Sequence, residues 1–128
     1  MIVDDEESLI STTMKIFERL GSTVLHATRG EDALDLLDSH NVDVVFLDIN
    51  MPGMGGMATL AEIKRHHPLV EVIMITGTLI REQAAEGLRL GAYDFLLKPV
   101  SIGDLVSKAD EAFHKRQAME EKLRNVRN

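Results

Sequence analysis

The 128 residues contain no cysteine, so no disulfide can staple the fold together. No apolar run reaches membrane-spanning length either, because the longest are broken by Asp43, Glu71 or Asp94. The opening "MIVDDEE" lacks the basic region, apolar core and small-residue cleavage site of a secretory signal. A cytoplasmic protein with no membrane contact is therefore expected. A basic surface is missing as well. The net charge is −7, and Met1 to Phe113 carries 9 basic against 19 acidic residues, while His114 to Asn128 carries 5 basic and 2 acidic. An acidic body cannot neutralise a phosphate backbone, which excludes direct nucleic-acid binding by this part of the chain.

What is present is enough apolar content, 45%, to build one core at this length. Short apolar runs alternate with amphipathic segments. "MIVD" precedes "EESLISTTMKIFERL", "TVLHA" precedes "GEDALDLLDSH", and "VDVVFLD" precedes "GMATLAEIKRHH". "VEVIMIT" precedes "LIREQAAEGLRL", and "YDFLLK" precedes "SIGDLVSKADEAFHKRQ". Five strands and five helices in strict turn follow from that alternation. "VVFL" and "VIMI" do not alternate polar with apolar, so both faces of those strands are expected to be covered, as in a parallel sheet between helical layers. Gly21 and Gly91 follow helical patterns as stop signals, and Ser101 followed by Asp104 resembles a helix N-cap. The expected architecture is an open, doubly wound α/β domain.

Ligands of such sheets bind at the carboxyl ends of the strands. Here those ends carry Asp4 and Asp5, then Asp48, Thr76, and Lys98 with Pro99. Carboxylates about 5 Å apart repel by roughly 3 kcal/mol per pair at an effective dielectric of about 20. A raised pKa or a bound cation can offset this. An all-oxygen cluster suits Mg²⁺ or Mn²⁺, and the backbone carbonyl of Asn50 could add a further oxygen. Mg²⁺ held by few carboxylates leaves room for a phosphoryl group, whose oxygens Thr76 and Lys98 could hold. Asp48 is central and precedes a Gly-rich loop containing Gly53, Gly55 and Gly56, which makes it the best nucleophile, and its attack on phosphorus would give an acyl phosphate. Asp4 and Asp5 taken alone would read as an acidic turn capping the first helix.

These residues are similar to the receiver domain of bacterial two-component response regulators. The motifs are "VDDEE" (Val3 to Glu7), "LDINMPGMGG" (Leu47 to Gly56), "ITG" (Ile75 to Gly77) and "GAYDFLLKP" (Gly91 to Pro99), in that order. The resemblance implies a flavodoxin-like sheet of order 2-1-3-4-5. It implies that Asp48 accepts a phosphoryl group from a sensor histidine kinase or phosphotransfer protein. Asp4, Asp5, Asp48 and the Asn50 carbonyl would form the Mg²⁺ site. Thr76 would be the switch hydroxyl, Phe95 the switch aromatic, Lys98 the phosphate-binding lysine, and Lys98-Pro99 a cis peptide. It further implies a regulatory phosphoacceptor rather than an enzyme, with a homodimer through the fourth helix, fifth strand and fifth helix, or through the C-terminal helix. Two departures stand out: Gly55 occupies a position where aspartate is common, weakening the cap of the third helix, and only three residues precede Asp4.

Competing readings fit less well. A phosphatase or dehalogenase with an aspartate nucleophile wants an acid where Asn50 stands, and a flavodoxin-like cofactor binder wants Ser, Thr and Gly where "DDEE" stands. The five histidines show no metal-ligand spacing, and Met51, Met54 and Met57 read as adaptable packing. The receiver unit is expected over 1–114. For 115–128, Leu105, Ala109, Ala112, Met119, Leu123 and Val126 fall near a heptad spacing broken by Arg116, which leaves a linker, a short coiled coil or a charged helix end open. The output, stand-alone or part of a longer regulator, is not legible.

Overall fold

A computed structural model describes residues 1–78 and 80–127. Leu79, which the pattern puts in the fourth helix, and Asn128, the end of the extension, lie outside the described residues. The elements are β1 (Ile2–Val3), α1 (Glu7–Arg19), β2 (His26–Ala27), α2 (Gly30–Ser39), β3 (Val44–Asp48), α3 (Gly56–His66), β4 (Glu71–Thr76), α4 (Arg81–Arg89), β5 (Asp94–Leu97) and α5 (Ile102–Arg127). All strand pairs are parallel and the order is β2-β1-β3-β4-β5, as expected.

The unbroken apolar runs explain the layering. Along β3 and β4, Val45, Leu47, Val72 and Met74 point to one face, where Ala33 and Leu37 of α2 and Leu60 and Ile63 of α3 cover them. Phe46, Ile73 and Ile75 point to the other, against Ile10 of α1 and Leu105 and Ala112 of α5. The period of two thus serves two cores at once. Phe17 of α1 meets Phe46 with ring centroids 5.7 Å apart. The outer strand is shorter than "TVLHA" would allow, because β1 offers only Ile2 and Val3 as pairing partners. Ser101 Oγ accepts the Asp104 N–H at 3.1 Å, the expected cap of α5.

The charged residue in the heptad pattern of α5 turns out to fasten the helix. Arg116 is only 8% exposed. Its Nη1 donates to the Val42 carbonyl at 2.5 Å and its Nη2 to Asn41 Oδ1 at 3.2 Å. Its Nε lies 3.1 Å from Asp43 Oδ1 and 2.9 Å from Glu120 Oε1. Lys115 adds an ion pair to the buried Glu71 at 3.3 Å. The stripe begun by Leu105, Ala109 and Ala112 therefore continues onto the body through a guanidinium, whereas Met119, Leu123 and Val126 beyond it are exposed. Among the described residues no helix is long and apolar enough to cross a membrane.

Removing this fastening should loosen the tail and weaken the fold. Arg116→Ala is expected to lower stability by about 1–3 kcal/mol, since the Val42 carbonyl loses its donor inside the protein. Urea unfolding checks the magnitude. Faster amide exchange over 117–127, with exchange around Asp48 unchanged, checks the location.

Candidate functional site

The carboxyl ends of β1 and β3 are neighbours in the sheet, and Asp4, Asp5 and Asp48 meet there. One carboxylate oxygen from each lies within 4.8 Å of the others. Asp4 and Asp48 are buried and Asp5 is exposed, so the cluster opens to solvent on one side only. Asp48 ends β3 in register with Ile75 of β4, and the next β4 residue is Thr76. α3 can begin close to this point because Gly56 has no side chain: a Cβ there would sit 2.3 Å from the Asp48 carbonyl oxygen and 2.5 Å from Ile49 Cα.

Lys98 reaches the cluster from the far end of β5. Its backbone N–H donates to the Thr76 carbonyl at 2.8 Å, and the Lys98-Pro99 peptide is cis. The Nζ lies 3.0 Å from Asp4 Oδ2, 3.3 Å from Glu6 Oε1 and 3.6 Å from Asp48 Oδ2. Burial works against its charge, but Asp4, Asp48 and Glu6 outweigh it and hold the ammonium above its usual pKa. Asp48 is pushed above the ordinary carboxylate value, first by burial and then by the Asp4 charge, against the pull of the Asn50 N–H and Lys98. One ammonium is shared among three carboxylates.

The two oxygens of Asp4 have different uses. Oδ1 accepts the Glu6 N–H at 2.8 Å in a turn just before α1; the N-cap of that helix, Glu6, makes no side-chain cap bond, so the acids form a turn ahead of the helix and do not cap it. Oδ2 is buried and has no hydrogen-bond partner among the described residues; Lys98 Nζ lies 3.0 Å away as an ion pair. A buried carboxylate oxygen without a donor, beside two more carboxylates, fits a hard divalent cation. The donor set is oxygen only, which fits Mg²⁺ or Mn²⁺ and not zinc.

Of the other predicted residues, Asn50 is exposed and its N–H donates to Asp48 Oδ1 at 3.1 Å. Thr76 is fully buried, and its hydroxyl is engaged by its own loop: Oγ1 donates to the Thr78 carbonyl at 2.9 Å and accepts the Thr78 N–H at 3.2 Å. Phe95 is half-buried with its ring against α4, where a Cβ at Gly87 would come within 2.6 Å of Phe95 Cζ. Sequence reasoning did not single out Glu6, the second partner of Lys98, because a contact across 92 residues leaves no local signal.

A family model described as the response regulator receiver domain matches residues 1–110. The chain is 35% identical over 111 residues to the DNA-binding transcriptional regulator NtrC of Klebsiella pneumoniae, covering 87% of this chain and 24% of that protein. It is 38% identical over 108 residues to the transcriptional regulatory protein CpxR of Escherichia coli (strain K12), covering 84% of this chain and 46% of that protein. The chain thus spans less than half the length of these curated relatives. Among solved structures it is similar to the receiver domain of NtrX from Brucella abortus, with TM-score 0.82 and 35% identity over 88% of this chain and 96% of that one. It is also similar to a CheY-like receiver domain from Methanospirillum hungatei JF-1, with TM-score 0.89 and 28% identity over 92% and 94%.

The raised pKa of Asp48 has a stability consequence of definite sign. A carboxylate harder to ionise in the folded state leaves stability unaffected below the ordinary value of 3.8. As pH rises through the raised value the unfolded state loses its proton first, so the fold loses stability, and at neutral pH the whole penalty is present. Asp48→Asn is therefore expected to raise the urea midpoint of the metal-free protein at pH 7 and to change it little at pH 3. An unchanged or lower midpoint at pH 7 would contradict this electrostatic account.

Proposed function

Because the chain belongs to the response regulator receiver domain family, we propose that Asp48 accepts a phosphoryl group from a phosphohistidine of a sensor kinase or phosphotransfer protein. The observation that carries this reading is the buried Asp48 carboxylate within a 4.8 Å cluster of three acids, with Lys98 Nζ 3.6 Å away. A carboxylate oxygen of Asp48 attacks phosphorus, an O–P bond forms, and the N–P bond of the donor breaks with its electron pair returning to the imidazole. Asp4, Asp5, Asp48 and the Asn50 carbonyl would hold Mg²⁺, or Mn²⁺ in its place, and a bound ion would offset the charge of the acids and of the phosphoryl oxygens.

The chain's own groups do the rest. Lys98 moves from Asp4 and Glu6 onto a phosphoryl oxygen. Thr76 releases Thr78 and donates its hydroxyl to a second oxygen. Its movement opens space into which Phe95 turns, and the face of α4, β5 and α5 changes shape. That face carries exposed Leu88, Leu97 and Ile102, which suits a partner or a second copy of the chain; the α5 extension offers the other surface for a homodimer. The reading carries a cytoplasmic location with it, and the output of the whole protein follows whatever is joined to this domain.

Incubation with acetyl phosphate and Mg²⁺ should give a phosphoprotein labile to base and to hydroxylamine, as an acyl phosphate is. Asp48→Asn should abolish labelling with the fold intact, and chelation should reduce it to background. Persistent labelling of the Asp48→Asn protein would put the acceptor elsewhere. Lys98→Ala should still bind the cation but label at least about tenfold more slowly, as loss of a charge-stabilising group in the transition state requires.

A further inference from the structure

The loop from β3 to α3 carries Asn50 past the carboxylate cluster; its base is closed by the Asn50 N–H on Asp48 Oδ1 at 3.1 Å and the Gly56 N–H on the Ile49 carbonyl at 3.0 Å, while its outer turn at Gly53 and Met54 is held from outside the loop. Gly53 and Gly55 have φ of 76° and 79°, conformations reached at an entropic cost. α3, which follows, has no side-chain cap at its N-terminus. Restraint comes from α2. Glu31 Oε1 accepts the Met54 N–H at 3.1 Å, across 23 residues of sequence. Arg29 lies on the other side of that carboxylate as an ion pair, with Nε 3.2 Å from Glu31 Oε2 and no hydrogen bond formed to that oxygen. Gly53 runs close over the pair, so that a Cβ there would lie 3.4 Å from Glu31 Oε1 and 3.6 Å from Arg29 Nη2. The start of α2 is itself fixed by a tight seat on α3, where a Cβ at Gly30 would fall 2.0 Å from Thr59 Oγ1.

We propose that Glu31, oriented by Arg29, is a positioning residue for the cation site: by pinning the loop at Met54 it preorganises the Asn50 backbone to ligate a divalent cation. The proposal rests on the reading of Asp4, Asp5, Asp48 and the Asn50 carbonyl as that site. Glu31 touches neither the cation nor the phosphoryl group. Its contribution is to the fraction of molecules whose loop is ready. An apparent dissociation constant is the intrinsic one divided by the competent fraction, so a fall in that fraction to between about a third and a tenth weakens cation affinity about 3- to 10-fold. Once the cation saturates the site, the loop is ordered in either case and phosphorylation proceeds at nearly the same rate.

The test uses the full chain with Glu31→Ala, Glu31→Gln and Arg29→Ala. Mg²⁺ is titrated against backbone amide resonances of Asp5 and Asn50, amide exchange at Met54 is measured without metal, and acetyl phosphate labelling is measured at saturating Mg²⁺. Glu31→Ala should raise the Mg²⁺ dissociation constant about 3- to 10-fold. It should also speed Met54 exchange in the metal-free protein and leave the saturated labelling rate within about twofold. Glu31→Gln, which keeps an acceptor oxygen for Met54, should recover part of the affinity, and Arg29→Ala should fall between the wild type and Glu31→Ala. Mg²⁺ affinity unchanged in a folded Glu31→Ala protein overturns the inference. So does a lost affinity that accompanies an equal loss of labelling at saturation. If the wild type itself shows no Mg²⁺-dependent shift at Asp5 and Asn50, the reading of the cation site fails, and the inference falls with it.

Discussion

Mutual repulsion among Asp4, Asp5 and Asp48 is the constraint around which the rest of this structure is arranged. Two of the three are buried, and with oxygens within 4.8 Å of one another each ionised pair repels by at least roughly 3 kcal/mol at an effective dielectric of about 20. A fold whose net stability is of the order of 5–15 kcal/mol cannot hold such a cluster unless the surroundings answer it. Lys98 is the answer within the chain, and it is incomplete. It lies closest to Asp4 and Glu6, leaving Asp48 the weakest share, which is why burial and Asp4 still raise the Asp48 pKa. The deficit that remains is the physical basis for proposing a divalent cation at this rim.

The scaffold is built to keep that imbalance in place. β3 and β4 are buried on both faces, so the strand ends that present Asp48 and Thr76 cannot shift without disturbing two cores. The Lys98 N–H bonded to the Thr76 carbonyl ties β5 to β4 at the point where the lysine turns toward the cluster. At the opposite end of the sheet Arg116 and Lys115 lock α5 to the starts of β3 and β4. The carboxylate end is open and underpaired, while the other end is tied by ion pairs and hydrogen bonds.

How much of this could be read in the sequence depended on the range over which each feature acts. The parallel sheet was legible because "VVFL" and "VIMI" are local runs whose lack of alternation has one structural meaning. Asp4, Asp5, Asp48 and Lys98 were legible because each falls at the end of such a run, and the sheet brings strand ends together. The Glu6 contact with Lys98 and the Glu31 contact with Met54 were not, since a surface glutamate carries no mark of the backbone group it will reach. Arg116 was read as a break in an apolar stripe. A guanidinium can continue a buried stripe when carbonyl, amide and carboxylate acceptors meet its rim, and Val42, Asn41 and Asp43 supply those from 73 to 75 residues away in a loop that no periodicity describes.

On the proposed function, the state of Thr76 bears on how sharply the domain can switch. Its hydroxyl both donates to and accepts from Thr78, two bonds that together stabilise the present loop by about 1–3 kcal/mol. A single charge-assisted bond to a phosphoryl oxygen is worth about 1.5–3 kcal/mol, so Thr76 exchanging partners is close to neutral. Moving a population from 1:99 to 99:1 takes about 5.5 kcal/mol. Most of that has to come from elsewhere in the site, and the largest source within the chain is the charge-assisted contact of Lys98 with the added phosphoryl charge. A phosphoryl group on Asp48 draws Lys98 away from Glu6, whose carboxylate then returns to water at little cost because it is exposed. Thr76 then reports the event rather than powering it. The energy for the change lies in the charges at the rim.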